Sequence, residues 1–171
     1  EVTSLPVGIS ISASANPTCQ GSSVTFIANP TNSWLLPVYQ WRVNGAAMGP
    51  NSSVFTYIPV NGDNVTCTLT SNLSCATGSP AISNQVTMAV SATIAPAISI
   101  TPSVNPVCEG TLVTYTAVAI NGGSSPVYQW RVNGLSVGTN SQVYSYIPLN
   151  GDCVTCQLIS NAVCNIGIPV I

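Results

Sequence analysis

The sequence predicts an all-β protein built from two tandem antiparallel β-sandwiches. A segment that begins at Pro37 and contains Tyr-Gln-Trp-Arg-Val-Asn-Gly recurs from Pro126, 89 residues later, and the two copies align without a gap. Apolar and polar residues alternate with a period of two between clusters of Gly, Pro, Asn and Ser, which is typical of short strands and tight turns. No stretch has helical periodicity of useful length. Many short strands in fewer than about 100 residues favour a sandwich.

In the first copy the alternation predicts six strands, which the second copy repeats at the same offset. They are expected over residues 9–14, 23–28, 38–43, 53–58, 64–71 and 82–90. The Asn-Gly pair at Asn44 and Gly45 predicts a tight turn after the third strand.

The aligned copies also predict the domain organisation. We expect residues 1–8 to be the end of a preceding repeat or a linker, 9–91 to be the first repeat, 92–97 a linker, and 98–171 an incomplete second repeat. Ile171 aligns with Ile82, so the second copy has no counterpart of the last strand. A sandwich without this strand exposes an unpaired backbone ladder. Two explanations are open: the residues are a window in a longer repeat array, or a neighbouring chain donates the strand.

The pattern within each copy favours an immunoglobulin-like sandwich. Trp41 on the third strand stands where the buried tryptophan of immunoglobulin domains belongs. In that register Ala28 and Leu69 occupy the positions of the usual inter-sheet disulfide, so this disulfide is absent. Cys67 takes the place of the tyrosine-corner residue.

Both copies share the motifs Asn-Pro-x-Cys-x-Gly, Tyr-Gln-Trp-x-Val-Asn-Gly, Asn-Gly-Asp-x-Val-Thr-Cys and Ser-Asn-x-x-Cys. This combination resembles the immunoglobulin-like tandem repeats of large bacterial cell-surface adhesin and fibre proteins, especially those exported by type IX secretion in gliding bacteria. The resemblance implies an extracellular stalk, adhesin or fibre segment. It does not name a ligand.

The composition excludes several classes of function. Only 4% of the 171 residues are charged, with two arginines, four acids and no histidine, whereas ordinary domains have about 25%. Two arginines cannot neutralise the phosphates of a nucleic acid, and histidine-based catalysis is impossible. The acids are scattered over turns and a terminus, so the paired carboxylates of a glycosidase are missing. We therefore expect no enzyme, no cofactor, no metal and no nucleic-acid partner.

The hydrophobic fraction of 46% does not indicate a membrane protein. The longest apolar run, residues 34–39, is far shorter than the ~20 residues that a spanning helix needs. No membrane insertion is expected.

Seven cysteines favour an oxidising, extracellular setting. Six are in register between the copies: Cys19, Cys67, Cys75, Cys108, Cys156 and Cys164. In one pairing Cys19 bonds Cys67 and Cys108 bonds Cys156, because the A–B turn and the start of strand F lie at the same end of such a sandwich. In the other, Cys19 bonds Cys75 and Cys108 bonds Cys164. Cys153 is the extra cysteine, and its place beside a turn makes it a candidate for a bond between chains.

Trp41 and Trp130 are expected to anchor the two cores rather than to stack on sugars, because aromatic side chains dominate burial in small sandwiches. Asp63 and Asp152 are each the third residue of an Asn-Gly-Asp turn and are expected to cap their own backbone. We also expect an ion pair between Arg42 and Asp63.

The copies differ most in the loop after the second strand. The first copy has Trp34, Leu35 and Leu36 there, whereas the second has Gly-Gly-Ser-Ser. Large apolar side chains on a loop tip are costly unless another surface covers them. We therefore predict that this loop docks on a neighbouring domain or subunit, together with the apolar Ile166 and Ile168.

These observations predict a structural repeat segment of an extracellular bacterial filament or surface stalk that associates with copies of itself or with neighbouring repeats. The near-absence of charge favours this role, since it removes repulsion between copies. The alternative is an adhesin module that binds a glycan or another cell surface through its loops, Trp34 to Leu36 above all.

Overall fold

The computed structural model describes residues 5–33 and 36–171. All the regular structure in these residues is β-strand, with no helix, so the predicted all-β class is confirmed. The chain divides into two compact units, one ending at Ala92 and the other beginning at Thr93. We call them the first and second module.

The first module contains twelve short strands. They are β1 (Leu5–Pro6), β2 (Gly8–Ala13), β3 (Thr18–Cys19), β4 (Val24–Thr31), β5 (Val38–Val43), β6 (Ala46–Ala47), β7 (Val54–Tyr57), β8 (Asn64–Thr70), β9 (Ala76–Thr77), β10 (Ala81–Ile82), β11 (Val86–Thr87) and β12 (Val90–Ser91). One sheet has the order β2-β4-β7, and the other has the order β10-β8-β5-β6 with β11 also paired to β8. Two parallel pairs, β1 with β9 and β12 with β3, complete the module.

The core of the first module lies between its two sheets. On β8, Val65, Cys67 and Leu69 are fully buried while the residues between them are half-buried, as the alternation predicts. Trp41 on β5 pairs directly opposite Cys67 and is also fully buried. The same cluster contains Ile11, Val24, Phe26, Ala28, Val43, Phe55 and Met88.

The predicted Asn-Gly turns are confirmed. Asn44 and Gly45 have φ angles of 51° and 82° and join β5 to β6. Asn133 and Gly134 do the same in the second module, with φ angles of 50° and 82°. Two successive residues with positive φ match the right-handed twist of the strands that they join.

The last strand of the first module differs from the single strand expected over 82–90. The structure has β10, β11 and β12 in its place. β11 pairs antiparallel with β8, whereas β12 pairs parallel with β3. Because the segment changes its pairing partner between Thr87 and Val90, no single ladder runs through it.

Both modules begin earlier than the sequence predicted. Leu5 and Pro6, expected to lie outside the first repeat, pair with Ala76 and Thr77 in β9. In the second module Ile94, expected in the linker 92–97, forms a parallel bridge with Asn165.

The second module repeats the architecture with fewer strands. They are β13 (Ala97–Pro102), β14 (Val113–Ile120), β15 (Val127–Val132), β16 (Leu135–Val137), β17 (Val143–Tyr146) and β18 (Val154–Ile159). The sheets have the orders β13-β14-β17 and β16-β15-β18. Ala117, Trp130 and Cys156 form its buried cluster. Val170 bridges to Leu158, and no counterpart of β11 or β12 lies among the described residues.

Candidate functional site

The last segment of the first module closes its sandwich at one edge. Met88 stands between β11 and β12, and its side chain is only 1% exposed in the core. Its backbone N–H donates to the carbonyl of Asp63 at 2.8 Å, and its carbonyl accepts the N–H of Gly62 at 2.8 Å. The segment is therefore held by both a buried side chain and the backbone of the Asn-Gly-Asp turn.

Two asparagine side chains bind the backbone of this segment. Asn16 donates to the carbonyl of Thr87 at 2.9 Å, and its side-chain oxygen accepts the N–H of Ala89 at 2.9 Å. The side-chain oxygen of Asn61 accepts the N–H of Val90 at 2.9 Å. Because the two amides contact only main-chain atoms, they fix the path of the segment without selecting its side chains.

The start of the segment is bound in the same manner. The N–H of Cys67 donates to Ser83 Oγ at 2.9 Å, and the N–H of Ser83 donates back to the carbonyl of Cys67 at 2.9 Å. Asn84 bonds the backbone of Ile11 on the opposite sheet, through its oxygen at 2.8 Å and its nitrogen at 3.1 Å. Residues 83–91 thus join both sheets of the first module.

In the second module the equivalent groups stand open. Asn105 and Asn150 correspond to Asn16 and Asn61, and neither side chain has a hydrogen-bond partner among the described residues. The backbone N–H groups of Val107 and Gly151 also lack a partner in the described part of the second module, although their counterparts bind Ala89 and Met88. These groups line a groove of about 480 Å³, together with Cys108, Tyr115 and Asp152. We call it the strand groove.

The core of the second module opens beside the strand groove. Val65 is fully buried in the first module, but its counterpart Val154 is only half-buried. Ile11 and its counterpart Ile100 differ in the same way. A smaller cavity of about 170 Å³ lies against Ile100, Val154 and Cys156. In the first module Met88 packs in the corresponding cluster, so this cavity marks the place of a buried apolar side chain.

The predicted capping role of Asp63 is confirmed, and its predicted ion pair is wrong. Asp63 accepts the backbone N–H of Val60 at 2.9 Å, Asn44 Nδ2 at 2.8 Å and the Tyr57 hydroxyl at 3.3 Å. Arg42 instead donates to the carbonyl of Gly45 at 3.0 Å. The three donors that surround Asp63 leave its carboxylate satisfied without a cation.

These contacts change two ionisation equilibria. Burial opposes ionisation of Asp63, but the hydrogen bonds from Val60, Asn44 and Tyr57 outweigh it and hold the pKa of Asp63 below its ordinary value. Burial and the nearby carboxylate of Asp63 raise the pKa of Tyr57. Asp152 in the second module has the equivalent hydrogen bonds, and they likewise lower its pKa.

Neither predicted set of disulfides is present. Cys67, Cys75, Cys108, Cys153 and Cys156 are free thiols, whereas Cys19 and Cys164 are disulfide-bonded. Cys67 and Cys156 cannot bond a cysteine of the A–B turn because both face the core beside a tryptophan. Burial raises the pKa of each of these two thiols to about 11.

The other residues singled out by the sequence are in several environments. Trp41 and Trp130 are fully buried, and each indole N–H donates to a backbone carbonyl at 2.8 Å, of Ser52 and Ser141 respectively. Leu36 is 78% exposed, and Ile166 and Ile168 are also exposed. Trp34 and Leu35 lie outside the described residues.

Sequence reasoning missed the asparagines that bind the last segment. A signal was present, since Asn16 and Asn105 both precede a proline and Asn61 and Asn150 both begin an Asn-Gly-Asp turn. An amide that recurs at the same offset in two copies is a candidate for a shared backbone contact. Its importance becomes visible only when one copy is seen filled and the other open.

Each module is an immunoglobulin-like β-sandwich. No protein-family model matches the chain. No curated protein matches it either. In the part of the chain that the structure describes, no helix is long and apolar enough to cross a membrane.

Three solved structures illustrate what the chain is similar to. The full ectodomain of mouse nectin-like molecule 4 is 14% identical, with 93% of this chain and 65% of that chain covered and a TM-score of 0.38. The eight N-terminal Ig domains of Down Syndrome Cell Adhesion Molecule are 18% identical, with 91% and 23% covered and a TM-score of 0.41. The fibronectin(III)-like modules of Clostridium thermocellum CbhA are 12% identical, with 94% and 91% covered and a TM-score of 0.41. The chain thus spans less than two thirds of the first two.

Proposed function

We propose that the chain is a structural repeat segment of an extracellular bacterial filament or surface stalk, and that it associates with further copies of its module through contacts between β-sandwiches. The observation that carries this proposal is the strand groove. Its open groups are the same groups that bind residues 83–91 in the first module. A segment of another module therefore finds a complete set of partners there.

The strand groove suits an extended peptide better than a compact ligand. In the first module the bonds to the segment come from the Asn16 and Asn61 side chains and from backbone groups, and they meet main-chain atoms. Recognition of this kind is strand addition, in which main-chain bonds supply affinity and pockets for alternate side chains supply specificity. The cavity beside Val154 supplies such a pocket.

The surfaces outside the groove also favour side-by-side packing. Ile27 and Val54 are paired across β4 and β7 on the outer face of their sheet, with 46% and 43% exposed. In the second module Val118 and Val143 are similarly exposed on β14 and β17. With a net charge of only −2, copies of the chain do not repel one another strongly.

Disulfide-bonded cysteines support an extracellular location, since disulfides persist mainly in oxidising compartments. Export by type IX secretion and an origin in gliding bacteria are supported by the resemblance of the sequence motifs to such surface proteins.

The test is sedimentation of the purified chain over a range of concentrations in the presence of a phosphine reductant, with negative-stain electron microscopy of the same samples. We expect oligomers that grow with concentration even when no disulfide can form. A chain that stays monomeric up to about 100 µM, a concentration well above a micromolar Kd, would overturn the proposed self-association.

The exposed Leu36 favours a second candidate, in which the first module's loop binds a glycan or another cell surface. A variant that carries the second copy's Asn-Gly-Gly-Ser-Ser in place of residues 32–36 separates the candidates. Loss of oligomers assigns the loop to assembly. Intact oligomers together with loss of binding on a glycan array assign it to adhesion.

A further inference from the structure

Each module carries two cysteine positions at the same places in its sequence. The turn cysteine is Cys19 in the first module and Cys108 in the second. The loop cysteine, which follows strand β8 or β18, is Cys75 in the first module and Cys164 in the second. The third shared position, Cys67 and Cys156, is buried in the two cores.

The two positions differ in state between the modules. Cys19 and Cys164 are disulfide-bonded, whereas Cys75 and Cys108 are free and exposed. One turn cysteine and one loop cysteine are therefore bonded, and one of each remains as a thiol. A turn cysteine and a loop cysteine are thus complementary halves of a bond that the module already uses.

The backbone around these positions explains the complementarity. Ser91, at the end of β12, pairs with Cys19 in the first module. In the second module the N–H of Ile94 donates to the carbonyl of Cys164 at 3.0 Å, and in the first module Leu5 makes the equivalent bond to Cys75 at 3.3 Å. A turn cysteine therefore lies beside the end of a module's last strand, and a loop cysteine lies beside the segment that leads into a module. Only three positions separate Ser91 from Ile94 in the sequence.

We propose that Cys108 of one chain and Cys75 of a second copy form a disulfide that joins the two chains. Cys108 lines the strand groove, so a segment that fills the groove passes beside it, as Ser91 passes beside Cys19. This proposal rests on the proposed self-association and adds its covalent step. It also assigns the bond between chains to Cys75 and Cys108 rather than to Cys153.

The oxidation requires a disulfide reagent such as oxidised glutathione. The Cys108 thiolate attacks one sulfur of the reagent, which forms a mixed disulfide and releases one glutathione thiolate. The Cys75 thiolate of the second chain then attacks the Cys108 sulfur, which forms the bond between chains and releases the second glutathione. Two protein thiols are oxidised, and one glutathione disulfide is reduced to two thiols.

The test uses full-length chains that carry Cys153→Ser, with Cys75→Ser or Cys108→Ser added. Each added variant lacks one half of the bond. In a glutathione redox buffer, the Cys153→Ser chain is expected to form a ladder on a non-reducing gel. Each added variant alone is expected to remain largely monomeric. An equimolar mixture of the two is expected to give a dimer in about tenfold excess over either homodimer, because docking raises the effective concentration of the correct pair into the millimolar range.

Peptide mapping by mass spectrometry identifies the bond. A linked peptide with Cys75 and Cys108 in the dimer of the mixed variants supports the proposal. Equal yields of homodimers and mixed dimers, no dimer in the mixture, or a monomer of the Cys153→Ser chain lighter by two hydrogens would each overturn it. Sedimentation in the phosphine reductant is read separately. Oligomers there without this bond would defeat the disulfide alone, and no oligomers there would defeat the proposed function.

Discussion

The side-chain oxygen of Asn61 accepts the backbone N–H of Val90 at 2.9 Å. This bond ties the Asn-Gly-Asp turn of the first module to its closing segment. Asn150, at the equivalent position of the second module, has no such partner within the described residues. The pair shows how one turn can either hold a strand or present the groups that would bind one.

The first prediction concerns peptide binding to the strand groove. A synthetic peptide with the sequence of residues 83–92 should bind the second module, because it supplies the main-chain partners and the methionine side chain that the groove lacks. At a peptide concentration 100 times Kd, the free energy of unfolding of that module should rise by about 2.7 kcal/mol. Thermal unfolding followed by hydrogen exchange of residues 97–159 measures the change.

The control is the same peptide with Met88→Asp, which places a charge in the apolar cavity. It should bind at least about 100-fold more weakly, since burying an unpaired charge costs several kcal/mol. Equal binding of the two peptides would show that the groove does not use the cavity.

The second prediction uses the two methionines of the chain. Met88 is 1% exposed and Met48 is 47% exposed. Met88→Ala should lower the free energy of unfolding of the first module by about 2–5 kcal/mol, because it leaves a cavity in the core. Met48→Ala should change it by no more than about 0.5 kcal/mol. Urea unfolding of both variants checks the contrast, and similar losses would argue against a buried Met88.

The third prediction compares Asn61→Ala with Asn150→Ala. The first should expose the Val90 amide to exchange and cost about 1 kcal/mol, because a backbone donor loses its acceptor. The second should leave stability unchanged, because Asn150 holds no strand. Hydrogen exchange of residues 83–91 reports on the first variant. If Asn150→Ala also destabilised the chain, the second module's groove would already be occupied.

The fourth prediction concerns the thiols. At pH 8, a thiol reagent should modify Cys75, Cys108 and Cys153 in the native chain and reach Cys67 and Cys156 only after unfolding. The reason is that burial raises the pKa of the last two thiols to about 11 and keeps them protonated and covered. Peptide mass spectrometry of the native and urea-unfolded chain measures the labelling. Rapid labelling of Cys67 would contradict the placement of β8.

The fifth prediction concerns acid stability. Asp63 and Asp152 are two of only four acids, and both have a lowered pKa in the folded chain. Their contribution to stability is therefore complete above the unfolded value of about 3.9 and is lost as the pH falls through the folded values. The melting temperature should be flat from pH 7 to pH 5 and should fall below about pH 4.

The matched variant is Asp63→Asn, which keeps the shape of the side chain but cannot accept all three hydrogen bonds. It should melt about 5 °C lower at pH 7. Its melting temperature should also depend less on pH between 5 and 2. An unchanged acid transition would show that Asp63 does not control it.

Much of the fold could be predicted because it depends on local patterns. Alternation alone gave β5 over Val38–Val43 with its correct ends, and the Asn44-Gly45 pair located the following turn. The closing segment was harder because Thr87 and Val90 pair with different strands. That switch depends on the three-dimensional position of β3, which no local pattern encodes.

The disulfide pairing failed for two different reasons. Cys67 could have been excluded, because it alternates with Val65 and Leu69 and must face the core with them. Cys19 and Cys75 could not be judged from spacing, because their state depends on what lies beside each loop in space.

The open edge of the second module also gives the assembly a direction. A groove on one copy and the segment that fills it on another are unlike surfaces, so a bond between them is heterologous. Contacts of this type build chains with two different ends, which either close into a ring or extend without limit. A fibre made in this way is polar: one end always presents an unfilled groove, and new subunits are added to the two ends by different chemistry.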